Sequence, residues 1–285
     1  MDAPFWPELP SGYQLIGSYG VLLAAPAEWN PVLLRGHAPG PLQRWLKPDP
    51  APRGIIAFAD LRATRLELRW RTVSSAEKSR QVFSKMVRKL QRAGLEAELR
   101  EGAALIRAKK SGVSPVPWQV LAVHQARLYE LTFPAGHTVE NASVVDWFLR
   151  THSPTSRQDP RGYLWSLYGC VGWAPLQSRV EKMVLQPGHV EISLAYRGGR
   201  MTLGSNGPAD RLLAACESLL QWAKALHREG PCTGQWHVDG DRIIYTGIRM
   251  RKFCRRVHQE LEFHHDAAAN RILWQHRQRW SGGRT

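Results

Sequence analysis

Two stretches of this chain carry the same kinds of element in the same order, and that repetition limits the fold more than any other feature. The first runs from Arg53 to Gly94. RGIIAFAD and RLELRW alternate apolar and polar residues as half-buried strands do, and SSAEKSRQVFSKMVRKLQRAG is a helical pattern closed by a glycine. About 135 residues later PGHVEISLAY, RMTLGS and PADRLLAACESLLQWAKALHREG give strand, strand and helix again. In each half, four further alternating runs follow the helix: EAELR, AALIRA, WQVLAVHQ and RLYELTFP, then GQWHV, DRIIYTGIRM, RRVHQELEF and NRILWQHRQ. The expected fold is therefore α+β, a tandem duplication of an antiparallel-sheet domain with a long helix packed on one face.

A chain of 285 residues is long enough for two such domains. The polar, turn-rich segment SPTSRQDPRG suggests the boundary: a first copy over 1–152 that begins with a proline-rich arm, a linker over 153–162 and a second copy over 163–285. In the first copy Tyr13 to Ala25 reads as one strand, and PAEWNP as a turn plugged by Trp29. The prolines of Gly36 to Pro52 read as a long surface loop offering Arg35, His37, Arg44, Trp45 and Lys47. VGWAPL opens the second copy as an echo of EWNPVL, and one helix is expected from Ala209 to His227. NASVVDWFLRTH reads as a shorter helix capped by Asn141 or Ser143, with Val144, Val145, Trp147 and Phe148 buried.

Charge gives the strongest statement about partners. The chain has 39 Lys and Arg against 24 Asp and Glu, a formal net charge of +15, so an acidic partner is expected. On the helix after Ser75, Lys78, Lys85, Lys89 and Arg92 fall in a narrow stripe opposite Phe83, Met86, Val87 and Leu90. The helix of the second copy mixes its charges instead. There the positive charge lies in IRMRKFCRRVH, with Arg249, Arg251, Lys252, Arg255 and Arg256, whose guanidinium forks suit phosphate oxygens. Twelve tryptophans, several beside Arg or Lys, add the materials for stacking on unpaired bases, with Trp45, Trp274 and Trp280 the first candidates.

Other chemistry is sparse. Cys232 with His237 and Cys254 with His258 are ligand types that suit zinc, in a spacing that matches no compact finger. His264 and His265 stand with Asp266 in an apparent turn, and His124 precedes the last strand of the first meander, which would allow histidine acid–base chemistry. No phosphate-binding glycine loop or nucleophile motif accompanies them, and no cofactor or metal is expected. The four cysteines lie apart, and no run of about 18 apolar residues exists, so a cytoplasmic location without a membrane partner is expected. These features together suggest a non-catalytic binding subunit for nucleic acid, RNA before DNA, or for an acidic protein. The alternatives are a scaffold component of a larger complex and a hydrolase or nuclease that uses the histidines.

Overall fold

The computed structural model describes residues 8–37, 53–108, 117–152, 162–176, 178–227, 232–251 and 255–280. Among them eighteen strands and four helices make a mostly-β chain, with three antiparallel sheets of four, seven and seven strands. Contacts divide the chain into two compact units, Met1–Gly162 and Tyr163–Thr285.

The first unit opens with a hairpin, β1 (Tyr13–Ser18) and β2 (Val21–Pro26), in place of the single strand expected there. Its turn is Tyr19-Gly20, both at positive φ, the conformation that matches the twist of a two-residue hairpin. Three strands follow: β3 (Asn30–His37), β4 (Arg53–Ala59) and β5 (Thr64–Thr72). Arg35 and His37 thus end a strand instead of belonging to a loop, and most of the loop expected up to Pro52, including Trp45, lies outside the described residues. Helix α1 (Ala76–Arg92) then crosses to β6 (Leu95–Arg100), β7 (Ala103–Ala108), β8 (Trp118–His124) and β9 (Arg127–Phe133). Because β9 pairs with β5, the seven strands lie in the order β3-β4-β5-β9-β8-β7-β6.

Local chemistry explains where α1 starts and stops. Ser75 caps it by accepting from the Lys78 amide (3.1 Å), and Gly94 ends it at positive φ. The buried Ser79 hydroxyl donates to the Gln125 carbonyl (2.7 Å), which ties the first turn of the helix to the β8–β9 turn. Phe83, Met86, Val87 and Leu90 pack on Ala104, Ile106 and Leu121, so α1 lies on one face of the sheet. On the opposite face Tyr129 meets Phe148 of the second helix, α2 (Val139–Thr151), at 5.3 Å between ring centroids, and α2 also packs on β2. Val144, Val145, Trp147 and Phe148 are all buried as expected, but the cap is Thr138, which accepts from the Asn141 amide.

In the second unit β10 (Tyr163–Leu167) and β11 (Cys170–Ala174) form a hairpin turned by Tyr168-Gly169, again both at positive φ. VGWAPL therefore sits mainly on β11, whereas EWNPVL straddles a turn and β3. The feature that the two halves share at this point is the Tyr-Gly hairpin. The remaining strands are β12 (Arg179–Gln186), β13 (His189–Tyr196), β14 (Gly199–Asn206), β15 (Cys232–Asp239), β16 (Arg242–Arg251), β17 (Arg255–Asp266) and β18 (Arg271–Trp280). Their order, β12-β13-β14-β18-β17-β16-β15, follows the same path as in the first unit.

The single helix expected from Ala209 to His227 is instead two, α3 (Ala209–Cys216) and α4 (Leu219–Leu226). Glu217 turns into the left-handed region (φ 64°), and Ser218 restarts the helix by accepting from the Gln221 amide (3.2 Å). A serine inside a helical pattern competes for backbone donors, and here it acts as a new cap. The α3–α4 arm packs through Ala209, Trp222 and Ala223 on Ile243, Tyr245, Leu261, Phe263 and Ile272.

A glycine under an indole recurs in both seven-stranded sheets. Gly54 is the ladder partner of Trp70, and Gly204 that of Trp274. A Cβ on Gly54 would stand 2.2 Å from Trp70 Cζ2, and one on Gly204 only 1.9 Å from Trp274 Cε2. Trp274 is further held by donating to Asn206 Oδ1 (2.7 Å), so it is a packing residue and not the free stacking platform its neighbours in sequence suggest. Gly54→Ala must push a buried indole aside, and we expect it to destabilise the first unit by about 1–3 kcal/mol in urea unfolding. A change indistinguishable from zero would show that the indole has room to move.

Candidate polyanion-binding surface

The α1 helix presents its cations as the 3.6-residue period dictates. Lys78, Lys85, Lys89 and Arg92 are all exposed on the side away from the sheet; Arg88 flanks them, and Arg80 lies beyond it at the edge of the apolar side, both also exposed. Glu77 is the only acid in the helix, and none of these six cations makes an ion pair with a described residue. Like charges four apart on a helix, such as Lys85 and Lys89, repel by a few tenths of a kcal/mol. Lys89 and Arg92 recover part of this because they stand in the last turn, at the negative end of the helix dipole. From Lys78 to Arg92 the stripe is about 21 Å long at 1.5 Å per residue. The outer surface of α3 and α4 has no such excess, since Asp210, Arg211, Glu217 and Lys224 alternate in sign.

The basic run of the second unit is divided by its own hairpin. Arg251 is the ladder partner of Arg255, and Arg249 is two positions away, so these three share one set of alternate positions. Arg256 pairs with Met250 and belongs to the other set. Arg256 is exposed and Arg249 half-buried, while Lys252 lies outside the described residues. The run is thus one charge cluster in sequence but is distributed over two sides of the ladder.

The histidine candidates are distributed in the same way. His264 and His265 lie on β17, not in a turn, so the pleat sends them to opposite faces and they do not form a pair. His264 is exposed, and the His265 amide donates to the Asp241 carbonyl (3.2 Å). His124, on β8, sits in an aromatic group with His152, whose ring centroid is 5.9 Å away, and His152 packs on Phe148 and Tyr129 at 4.4 and 5.1 Å. His152 Nε2 also lies 3.2 Å from the Leu22 amide and 3.1 Å from its carbonyl, which anchors the β1–β2 hairpin to α2. This anchoring histidine had no signal in the sequence beyond its place at a helix end.

Among the described residues no group of three or more His, Cys, Asp or Glu is placed to hold a metal ion. The ladder also separates the two histidines of the zinc candidate. His258 is level with Ile248 and Thr233, while His237 lies four residues further along β15, about 14 Å at 3.4 Å per residue. Two imidazoles that bind one zinc at about 2 Å each cannot bridge that span. The backbone of Cys232 starts β15, and Cys254 lies outside the described residues. Cys170 is a free thiol whose burial pushes its pKa up to about 12, which leaves it an inert packing residue. No helix among the described residues is long and apolar enough to cross a membrane.

The tryptophans stand mostly inside. Trp29, Trp70, Trp118, Trp147, Trp165 and Trp222 are buried, and Trp280 at the end of β18 is exposed. Comparison of the chain with protein-family models, with curated proteins and with solved structures finds no match in any of the three.

Burial first, and then the neighbouring His124, pull the His152 imidazole down to about pKa 3 from its ordinary 6.5. In the unfolded chain this ring takes a proton near pH 6.5, whereas in the folded chain it stays neutral until far lower pH. The unfolded state therefore binds more protons in this window, and stability falls as pH falls, by about 1.4 kcal/mol per pH unit. Urea unfolding of the protein between pH 6 and pH 4.5 should show this loss. His152→Gln should lower stability at pH 7 and flatten the slope; parallel slopes for the two proteins would contradict the assignment.

Proposed function

We propose that the chain is a non-catalytic binding protein for nucleic acid, and that it engages phosphates through the outer face of α1. The observation that carries this reading is the one-sided stripe of Lys78, Lys85, Lys89 and Arg92, exposed and unpaired among the described residues. A helix that only needed to be wet would gain from mixing Glu with Lys at four-residue spacing. This one accepts mutual repulsion, which a polyanion relieves by displacing its own counterions. The burial of most tryptophans supports a contact made to the backbone and not to stacked bases. Arg249, Arg251, Lys252, Arg255 and Arg256 belong to this reading as a second, weaker patch, because the hairpin register sets Arg256 apart from Arg249, Arg251 and Arg255.

The same reading includes a tandem duplication in which one copy kept the basic helix. It is supported by the common strand order, the Tyr-Gly hairpin turns and the glycine–indole pairs of the two units. A cytoplasmic location fits the free thiols.

The test is retention of a labelled single-stranded RNA and of the matching DNA duplex, measured across a salt series. Wild type should bind RNA with a logarithmic salt slope near −3, the value for about four phosphate contacts on a single strand. Replacing Lys78, Lys85, Lys89 and Arg92 together with Gln should remove most of that slope and leave unfolding unchanged. Charge reversal of Arg251, Lys252, Arg255 and Arg256 should have the smaller effect. Equal retention by wild type and the α1 variant at low salt would refute the site.

A further inference from the structure

Beside α1 the sheet of the first unit holds a pocket of about 430 Å3 whose wall is cationic and whose floor is apolar. Its origin is the incomplete cover that one helix gives to seven strands. The helix packs on β6, β8 and β9, and the pocket opens where its edge meets β4 and β5. Phe83 and Met86 from α1 and Ile55, Leu121 and Leu128 from the sheet form the apolar part.

Two rungs of the ladder place the charges. Arg53 is the direct partner of Arg71, and Arg71 in turn of Leu128. Ile55 partners Arg69, which partners Glu130. Arg69 is offset by an ion pair with Glu67 (2.5 Å). Arg53 and Arg71 have no acid partner among the described residues, and the Arg71 guanidinium lies 3.1 Å from the Met86 sulfur at the pocket wall. Like charges directly opposite on neighbouring strands destabilise a sheet. The rung therefore holds two arginines over apolar surface with no carboxylate paired to either among the described residues.

We infer that this pocket binds a small amphipathic anion, with its carboxylate or phosphate head at the Arg53–Arg71 rung and its apolar body over Ile55, Leu128, Phe83 and Met86. The volume lies in the ordinary range for small molecules, roughly 300–1,000 Å3. Paired guanidinium forks bind planar or tetrahedral oxyanions through charge-assisted hydrogen bonds. Glu130, half-buried one rung further on, repels the head from the other end and so sets the direction of the ligand. The phosphate-binding face of α1 is separate from this site, since it points away from the sheet.

The experiment uses the full chain and 1-anilinonaphthalene-8-sulfonate, an aromatic anion that fluoresces on apolar contact, displaced in turn by decanoate, decyl phosphate and decanol. The expected result is saturable one-to-one binding, reversed by the two anions and not by decanol. The stronger of the two anions then identifies the head group. Arg53→Gln with Arg71→Gln should weaken binding about tenfold or more, with no loss of stability in unfolding, since the change also removes a like-charge pair. Arg62→Gln, at an exposed turn, should leave it as in wild type, and so should the α1 variant with Gln at Lys78, Lys85, Lys89 and Arg92. Absence of saturable binding, displacement by decanol as effective as by the anions, or wild-type affinity in the double variant would overturn the inference.

Discussion

Each half of this protein depends on one long-range pairing, in which the third strand of a meander meets the last strand of the next. Glu67 to Thr72 of β5 lie against Arg127 to Thr132 of β9, and Gly199 to Asn206 of β14 against Ile272 to Arg279 of β18. Between those partners the chain must build three strands and one helix in the first half, or two short helices in the second, and return. The pairing therefore makes a single seven-stranded sheet out of two meanders and obliges the connecting helix to lie on its face. It also decides which side chains meet. The Arg53–Arg71–Leu128 rung exists only because β4, β5 and β9 are neighbours in this register, and a slip of one residue would exchange every member for its opposite face.

The distribution of polar and apolar groups follows from the same layout. α1 covers part of one face of the first-unit sheet, and on the other lie α2 and Tyr19 of the β1–β2 hairpin, with His152 bridging hairpin and helix. Large aromatic residues fill these layers, which leaves the solvent side of α1 to charge. In the second unit the arm between the meanders is broken at Glu217, and its two short helices carry balanced charges. The two units thus share a skeleton and differ in the surface that the helix presents, which is where we place the binding function.

Much of this architecture was legible in the sequence because it rests on local patterns. Alternating runs marked the strands, Ser75 and Gly94 marked the ends of α1, and the 3.6-residue period separated its apolar and basic sides. What could not be read depends on register or on competition between local signals. Arg53 and Arg71 are 18 residues apart in sequence, and nothing local says that they are partners. The His264–His265 pair looks like a cluster in one dimension, yet a two-residue pleat separates its members, and in IRMRKFCRRVH the register sets Arg256 apart from Arg249, Arg251 and Arg255. The break of the second helix turned on whether Ser218 would cap or continue, a choice of a kcal/mol or so that apolar periodicity does not reveal. The Tyr-Gly hairpin turns escaped the sequence reading, because the apolar run around the first one reads equally as a single strand.

The central claim, that a polyanion contacts the outer face of α1, is tested most directly by which lysines it shields. Amine acetylation of the folded protein, read by mass spectrometry with and without saturating RNA at low salt, compares Lys78, Lys85 and Lys89 with Lys182 and Lys224, all exposed in the free chain. The account predicts strong protection of the three α1 lysines and none of the two references. Equal modification of Lys78, Lys85 and Lys89 in the presence and absence of bound RNA would contradict it.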